Sequence, residues 1–561
     1  MTGASDQELF YFPPPPSDDA IEWPGEPIGK SNTITRTKSR TRYHDKTVDA
    51  KPGRREELVN AAVEYIVTRA ATEPIHMHDV VIHGVKVRAI TNSRHLIDFW
   101  RENWFSAAEW KEATGIEPPA HPRVIVYALG GVESQREAAC YSHDTSTVIF
   151  FNTSYYGQLK SWVLGAVGRV LASEFGIHSI HGACVEKGGK GILYIAPTGT
   201  GKSTSSYGLM TYPDTRFHSD DWVYVRYVLW TKDGQPFAPT LVETPTGQGL
   251  RGYRCLPWLE AHRGESVRIE GLGLRNEEIE TTSDQIDWAQ SVGAYAYTSE
   301  KIFYLRSNLV ENFPESAYEI LHTDLENVPS IYPAFAEAHR PVVEGLVSLL
   351  LGSSDPRIRA YFRGLPRDEV ATLLGRLFAF DNARAMLDIT RVLPRERVFW
   401  NPLEPVRLGC VFLLKRDRQD PVVMEALGLD KFMDRLLIGL TPDGKREIAY
   451  NAYRTVDDEA ERQCVASLEG EAGATGRPLY ELFLRRADVP GSLREEFSLF
   501  SVLHQSAACY DCNTILQQDP DVRSRKEAVG LTIDLIAKVA TTTPRDLRLT
   551  LSDYRRFLMA R

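Results

Sequence analysis

The sequence has little of several features that would place a protein in a specialised class. No apolar run approaches the roughly 18 residues that a membrane-spanning helix needs. Lys and Arg (65) do not outnumber Asp and Glu (75), and the net charge of −10 argues against a nucleic-acid or membrane-surface binder. The first residues lack the basic-then-apolar layout of a secretory signal. The 7 cysteines, an odd number, do not suggest a disulfide framework, so we expect a reduced, cytoplasmic protein.

One segment has a pattern that predicts chemistry. Residues 191–204 read Gly-Ile-Leu-Tyr-Ile-Ala-Pro-Thr-Gly-Thr-Gly-Lys-Ser-Thr. The apolar run predicts a buried strand, a loop with two glycines follows, and a helix is expected to begin near Lys202. This is the phosphate-binding loop pattern G-x-x-x-x-G-K-[ST], with Ala in place of the first Gly. The segment therefore predicts a nucleotide site formed by Ala196, Pro197, Thr198, Gly199, Thr200, Gly201, Lys202, Ser203 and Thr204.

Each part of this loop has a physical role. Gly199 and Gly201 allow the backbone to curl so that successive N–H groups point at phosphate oxygens. The N-terminus of the following helix adds attraction for an anion. Lys202 can reach the β- and γ-phosphates, and the hydroxyl of Ser203 can hold Mg²⁺. The implied cofactors are ATP and Mg²⁺, with Mn²⁺ as a substitute.

Polar residues flank the loop on both sides in sequence. A Lys-Gly-Gly-Lys turn between the apolar residues 183–186 and 191–195 predicts a hairpin, which puts His181 on the strand beside the loop strand. Downstream, Asp220 and Asp221 begin an alternating apolar strand. Paired carboxylates in such a place can serve as Mg²⁺ ligands and as a general base for an acceptor group.

The pair His181-Gly182, the loop, and Ser219-Asp220-Asp221 resemble, in this order, the HPr kinase and phosphoenolpyruvate carboxykinase superfamily. The clear part of the resemblance covers residues 177–225. HPr kinases carry His-Gly, a Gly-x-x-Gly-x-Gly-Lys-Ser loop and Ala- or Ser-Asp-Asp, and ATP-type carboxykinases use a similarly placed His to hold a divalent metal. The resemblance implies a P-loop core of this type, with Ser203, Asp220 and Asp221 as metal ligands and a catalytic set of Lys202, Asp220, Asp221 and His181.

The chain departs from this family pattern at two points. Thr204 follows the loop where HPr kinases usually have Glu, and no arginine-rich oxaloacetate motif precedes His181. The leading hypothesis is an ATP- and Mg²⁺-dependent phosphotransferase with an unidentified phosphoryl acceptor. One alternative is a phosphoenolpyruvate carboxykinase-like lyase. The other is a nucleotide-binding regulator or scaffold with little turnover. The oligomeric state stays open.

Hydrophobic periodicity predicts an α/β fold with a mixed sheet and six parts along the chain. They are a disordered tail (1–52), a small N-terminal α/β domain (53–175), the P-loop core (176–325), a helical insertion (326–395), a continuation of the α/β core (396–460) and a helical C-terminal region (461–561). Within them we expect a single strand at residues 80–90, a long helix at residues 156–175, another core strand at residues 301–306 and a buried central strand at residues 407–415.

Several further residues invite a functional interpretation. Arg251 or Arg254, after a glycine-rich loop, is either a phosphate ligand or part of a plain connector. Four residues in and after a Pro-Asp-Gly turn either contact substrate or phosphate or, the interpretation we favour, belong to a solvated, charged turn: Lys445, Arg446, Asn451 and Arg454. Two further features could suggest a metal site, and we interpret both as structural. They are the histidines at 76, 78 and 83 and the lone Cys-x-x-Cys at Cys509 and Cys512.

Overall fold

The computed structural model of the protein describes residues 33–34, 43–45, 48–72, 74–152, 156–197, 200–306, 340–352, 354, 362, 364–379, 384–388, 393–440, 446–448 and 458–560. These residues form a mixed α/β structure, which agrees with the predicted fold class. Two large sheets, of 13 and 7 strands, organise it, and two small sheets have 3 and 2 strands.

The N-terminal part alternates strands and helices. In chain order its elements are β1 (Thr33–Ile34), β2 (Tyr43–Asp45), α1 (Arg54–Arg69), β3 (His76–Ile82), β4 (Val85–Thr91), α2 (Arg94–Asn103), β5 (Phe105–Ser106), α3 (Ala107–Thr114), β6 (Val124–Leu129), β7 (Ala138–Ser142), β8 (Thr147–Phe151) and α4 (Tyr156–Phe175). The seven-stranded sheet has the order β2-β7-β8-β6-β4-β3-β5.

The expectation of one strand over residues 80–90 is wrong. The structure has a hairpin there, with β3 paired antiparallel to β4 and a turn at His83 and Gly84. Both turn residues have positive φ, 46° and 86°. A two-residue turn of this kind matches the twist of a hairpin, and alternation continues across it, so the pattern alone concealed the break.

The middle of the chain builds most of the larger sheet. Its elements are β9 (His178–Lys187), β10 (Lys190–Ile195), α5 (Lys202–Leu209), β11 (Thr215–Ser219), β12 (Trp222–Trp230), β13 (Pro236–Glu243), β14 (Gly249–Arg251), α6 (Cys255–Ala261), β15 (Arg268–Leu272), β16 (Glu278–Thr282), β17 (Gly293–Tyr297) and β18 (Ile302–Arg306). The predicted hairpin is present, because β9 pairs antiparallel to β10.

The remaining described elements are α7 (Arg340–Leu351), α8 (Arg367–Ala379), β19 (Arg384–Asp388), β20 (Val406–Lys415), β21 (Val422–Ala426), α9 (Leu429–Leu437), β22 (Ile438–Leu440), β23 (Arg446–Ile448), α10 (Asp458–Thr475), α11 (Leu479–Arg485), α12 (Gly491–Ser506), β24 (Ala508–Asn513), α13 (Arg525–Thr542), β25 (Arg548–Thr550) and α14 (Tyr554–Met559). The main path of the larger sheet runs β16-β15-β13-β12-β9-β10-β20-β24-β21-β25.

Strand β20 is the buried central strand that the sequence predicts, since it pairs parallel to β10 on one side and to β24 on the other. Two other expectations need correction. The C-terminal region is not only helical, because it supplies β24 at the centre of this sheet and β25 at its edge. Strand β18 belongs to the three-stranded sheet with β1 and β19, not to the core. Short strands show the same alternation wherever they pair, so periodicity cannot assign them to a sheet.

Helix α4 packs between the two large sheets. One apolar cluster contains Val126 of the seven-stranded sheet, Leu164 of the helix and Tyr224 of the larger sheet. This packing fixes the helix against β9 and β12, the strands that carry the predicted site.

Candidate functional site

The pairing of three strands brings the predicted site residues to one place. In the β9–β10 hairpin, Ile195 at the end of β10 lies opposite Gly182. On the other side of β9, His181 lies opposite Trp222 at the start of β12. A side chain at Gly182 would put a Cβ 2.7 Å from the carbonyl oxygen of Tyr194. The glycine after His181 is therefore required by the close approach of the two strands.

The segment after β10 turns back into helix α5. Ala196 and Pro197 are buried, as is Thr200, whose hydroxyl donates to the carbonyl oxygen of Pro197 at 2.8 Å. Gly201 has a φ of 107°, a conformation that favours glycine, and α5 begins at Lys202 as predicted. Thr198, Gly199 and the side chain of Ser203 lie outside the described residues, and Thr204 is half-buried in the first turn of α5.

Three predicted residues form one cluster. Nε2 of His181 lies 2.9 Å from Nζ of Lys202 and 3.2 Å from Oδ1 of Asp221. Nζ of Lys202 lies 3.4 Å from the same carboxylate oxygen. An unprotonated ring nitrogen accepts from the ammonium group, whereas a protonated one donates to the carboxylate, so the two contacts of His181 are alternatives.

Burial and neighbouring charges set the protonation states of His181 and Asp221. Burial, together with the nearby ammonium group of Lys202, lowers the pKa of His181 to about 4, and Asp221 only partly opposes this. Burial works against ionisation of Asp221, but Lys160, Lys202 and His181 hold its pKa well below the usual value. At neutral pH the imidazole is therefore neutral and the carboxylate is an anion.

Two residues that the sequence did not single out complete the cluster. Nζ of Lys160, on α4, lies 3.1 Å from Oδ2 of Asp221 and 2.7 Å from Oε1 of Glu300. The side chains of Lys160 and Glu300 are 6% and 3% exposed, whereas that of Asp221 is 28% exposed. Asp221 is therefore the acid that solvent and ligands reach. A lysine within the first turns of a largely apolar helix was the available signal for Lys160.

The two neighbouring aspartates have different surroundings. Both lie in the turn between β11 and β12, and the carbonyl oxygen of Asp221 accepts from the amide of Gly182 at 3.2 Å. Asp220 is buried beside Tyr207 of α5, and burial with this neighbouring carboxylate raises the pKa of the Tyr207 hydroxyl well above its usual value. The side chain of Asp221 instead faces the lysines, which a pattern of two adjacent acids does not reveal.

An arginine from another strand lies beside the loop. The carboxyl ends of parallel strands meet at one edge of a sheet, where ligands commonly bind. Arg416 directly follows β20, the parallel neighbour of β10, and its Nη2 would lie 3.9 Å from a Cβ built on Gly201. Nε of Arg416 donates to the hydroxyl of Thr514 at 3.2 Å, and that hydroxyl donates to the carbonyl oxygen of Thr200 at 3.1 Å.

The cluster offers a small set of ligands for a divalent cation. In the part of the chain that the structure describes, no three His, Cys, Asp or Glu side chains group as metal ligands. The donors at the cluster are the Asp221 carboxylate, which is 28% exposed, and the neutral imidazole of His181, which is 8% exposed. This suits a cation such as Mg²⁺ or Mn²⁺, which is bound through one or two protein ligands and takes its others from phosphate and water.

Arg251 and Arg254 are not brought to this cluster. Gly252 packs against the end of α4 at Ala172 and Ser173, about 18 Å along the helix axis from Lys160 at 1.5 Å per residue. Its neighbours Arg251 and Arg254 are exposed there. Of the four downstream candidates, Arg446 lies on β23, and the remaining three, Lys445, Asn451 and Arg454, lie outside the described residues.

The histidines and the Cys-x-x-Cys pair have structural surroundings. His83 is buried against the ring of Tyr224, with centroids 4.9 Å apart, and its Nε2 lies 3.2 Å from Nη2 of Arg226. Cys509 and Cys512 are both buried on β24. Neither feature forms a metal site among the described residues.

A scan against models of known protein families finds no match to this chain, and a search of curated protein sequences finds none either. Among the described helices, none combines the length and apolar character that crossing a lipid bilayer would require.

Proposed function

We propose that this protein is an ATP- and divalent-cation-dependent phosphotransferase. The observation that carries the proposal is the cluster at the start of α5, where the ammonium group of Lys202 lies within 3.4 Å of both His181 and Asp221. The cluster follows a glycine-containing turn at the carboxyl edge of parallel strands. A cation, an anion and a neutral imidazole in this place suit the binding of a triphosphate with its metal.

Each residue has a proposed role in binding or transfer. The backbone N–H groups of residues 196–204 other than Pro197, together with the ammonium group of Lys202, bind the phosphates and stabilise negative charge on the transferring group. Arg416 approaches the same turn from β20 and adds a second cation. Asp221 and His181 would hold Mg²⁺ or Mn²⁺, which supplies Lewis-acid stabilisation of the phosphate oxygens when it is bound.

The assignment of the acceptor proton follows from burial. Asp221 is the reachable acid, so we assign it, rather than Asp220, to orient the acceptor group and take its proton on one lone pair of Oδ1, while the other lone pair of Oδ1 holds the cation. A pKa held well below the usual value makes it a weak base. Phosphoryl transfer tolerates a weak base, because most of its catalysis comes from positioning and electrostatic stabilisation.

The family resemblance supports this proposal. His181-Gly182, the loop and the Asp220-Asp221 pair occur in the order that HPr kinases show. The first of these lies on β9, and the last directly precedes β12, the strand paired with β9 at His181. We therefore propose a P-loop core of the HPr kinase and phosphoenolpyruvate carboxykinase type. Fold resemblance does not identify the acceptor, since function depends on the site.

The test is direct binding followed by turnover. Calorimetry should detect ATP·Mg²⁺ binding to the full chain and its loss in Lys202→Ala. Phosphorus NMR with ATP and a panel of metabolites should then show transfer that Asp221→Asn abolishes. Absence of ATP binding, or binding indifferent to Lys202→Ala, contradicts the proposal. Tight binding without turnover under any condition favours a regulator instead.

A carboxykinase-like lyase is the second candidate. The observation in its favour is that His181 lies 3.2 Å from Asp221, since the resemblance places a metal-holding His at this point. A coupled assay with oxaloacetate and ATP separates the two activities, because only the lyase releases CO₂ and forms phosphoenolpyruvate.

A further inference from the structure

Lys160 is a buried cation between two acids. Its ammonium group is 2.7 Å from Glu300 and 3.1 Å from Oδ2 of Asp221. The other carboxylate oxygen of Asp221, Oδ1, faces His181 and Lys202. The two oxygens of Asp221 therefore have different surroundings. Oδ2 contacts the buried Lys160, whereas Oδ1 lies on the side of Lys202 and the predicted nucleotide loop.

Glu300 occupies a fixed place in the junction between the two large sheets. Its backbone forms an isolated antiparallel bridge with Trp104, next to the seven-stranded sheet. The next residue, Lys301, makes an ion pair of 2.8 Å with Glu109 of α3. These two contacts fix the backbone at Glu300, and its carboxylate then lies against Lys160.

We propose that Glu300 is a positioning residue for the divalent-cation site. Its carboxylate holds the ammonium group of Lys160 so that Lys160 donates to Oδ2 of Asp221 and leaves Oδ1 for the cation. This inference rests on the proposed function, because it takes Asp221 as the residue that binds the cation.

The charge of Glu300 is essential to this role. With Glu300 ionised, the positive charge of Lys160 is shared between two carboxylates. Without it, the whole charge acts on Asp221 and competes with the incoming cation. Residues that orient a metal ligand from behind typically change metal affinity by about 10- to 100-fold when they are replaced. Burial raises the pKa of Glu300 to about 7, so the role is tested at pH 8.

The experiment measures Mn²⁺ binding to the full chain by the EPR signal of free Mn²⁺, at pH 8, with and without ATP. Glu300→Gln keeps the shape and removes the charge, and we expect about tenfold weaker Mn²⁺ binding. Glu300→Asp keeps the charge and should stay closer to the wild type than Glu300→Gln. In a Lys160→Met background, Glu300→Gln should have no further effect, because Glu300 acts through Lys160.

Glu109→Gln is the matched control, since it breaks an ion pair at the same junction without touching the cluster. The inference is overturned if Glu300→Gln binds Mn²⁺ like the wild type, if Glu109→Gln weakens binding equally, or if the wild type binds no Mn²⁺ in either condition. If Glu300→Gln does not fold, Glu300→Asp decides: withdrawing the carboxylate by one methylene should weaken Mn²⁺ binding measurably in the wild-type background and not in the Lys160→Met background, and equal Mn²⁺ binding by Glu300→Asp and the wild type overturns the inference. ATP binding without metal reports on the proposed function separately, and it should persist in Glu300→Gln.

Discussion

Replacing Asp221 by Asn should weaken the fold and yet tighten the binding of metal-free ATP. The carboxylate lies 3.1 Å from Nζ of Lys160 and 3.4 Å from Nζ of Lys202. At an effective dielectric constant of about 20, each contact corresponds to about 5 kcal/mol of gross attraction. Desolvation offsets most of it, and removing one partner of such a buried cluster costs about 3 kcal/mol of folding free energy. Such a change typically costs about 3–5 kcal/mol, and we take the lower end because the side chain of Asp221 is 28% exposed.

The effect on ATP has the opposite sign. Asp221 repels a bound phosphate, and in the variant two ammonium groups are left without their shared anion. At a separation of about 6 Å and an effective dielectric constant of about 40, removing this charge relieves about 1.4 kcal/mol of repulsion. That corresponds to about tenfold tighter binding. The gain in affinity that Mg²⁺ gives the wild type should largely disappear, because the variant lacks the carboxylate ligand.

Calorimetric titration with ATP at pH 8, in EDTA and then in excess Mg²⁺, measures both effects, and urea unfolding measures the loss of stability. Asp214→Asn is the control, since Asp214 pairs with Lys187 at 2.7 Å at the far end of the β9–β10 hairpin and is exposed. Metal-free ATP binding that is unchanged or weaker in a folded Asp221→Asn protein would refute the electrostatic reasoning.

Three further outcomes follow from the structure. Arg416→Ala should weaken ATP binding about 10- to 100-fold through loss of a charged hydrogen-bond donor beside Gly201; calorimetry against Arg418→Ala, an exposed arginine of the same loop, checks this, and equal effects would exclude a specific role. Gly252→Ala should destabilise the protein by at least about 3 kcal/mol, because φ is 62° and the new Cβ would lie 2.3 Å from two carbonyl oxygens of α4; a urea midpoint like that of the wild type would contradict it. The pKa of Glu300 rises from 4.5 to about 7 on folding, so the native state holds a proton that the unfolded chain has lost, and wild-type stability should fall by about 3 kcal/mol as pH rises through this range. Glu300→Gln should remove that slope in unfolding curves recorded between pH 4.5 and 8, and an unchanged slope would assign it to another group.

Much of the local structure could be predicted from the sequence. The Lys-Gly-Gly-Lys hairpin, the start of α5 at Lys202 and the full extent of α4 (Tyr156–Phe175) depend on neighbouring residues: turn glycines and apolar residues at helical spacing. Local signals failed at the turn at His83 and Gly84, where apolar alternation passes through a tight turn, and at β24 and β25, two strands in a region predicted to be helical. Each failure concerns which strand pairs with which, and that depends on burial summed over distant parts of the chain.

By itself, the sequence determined the order strand, glycine turn and helix, and with it the hypothesis that phosphate binds near Lys202. Only the tertiary structure decided that Asp221, rather than Asp220, faces that lysine, and that Lys160, Glu300 and Arg416 join it from a helix, an inter-sheet junction and a parallel strand. The physical reason is that backbone geometry within about ten residues follows from side-chain size and turn chemistry, whereas the meeting of charged groups far apart in the chain follows from how the two sheets and α4 bury their apolar faces together.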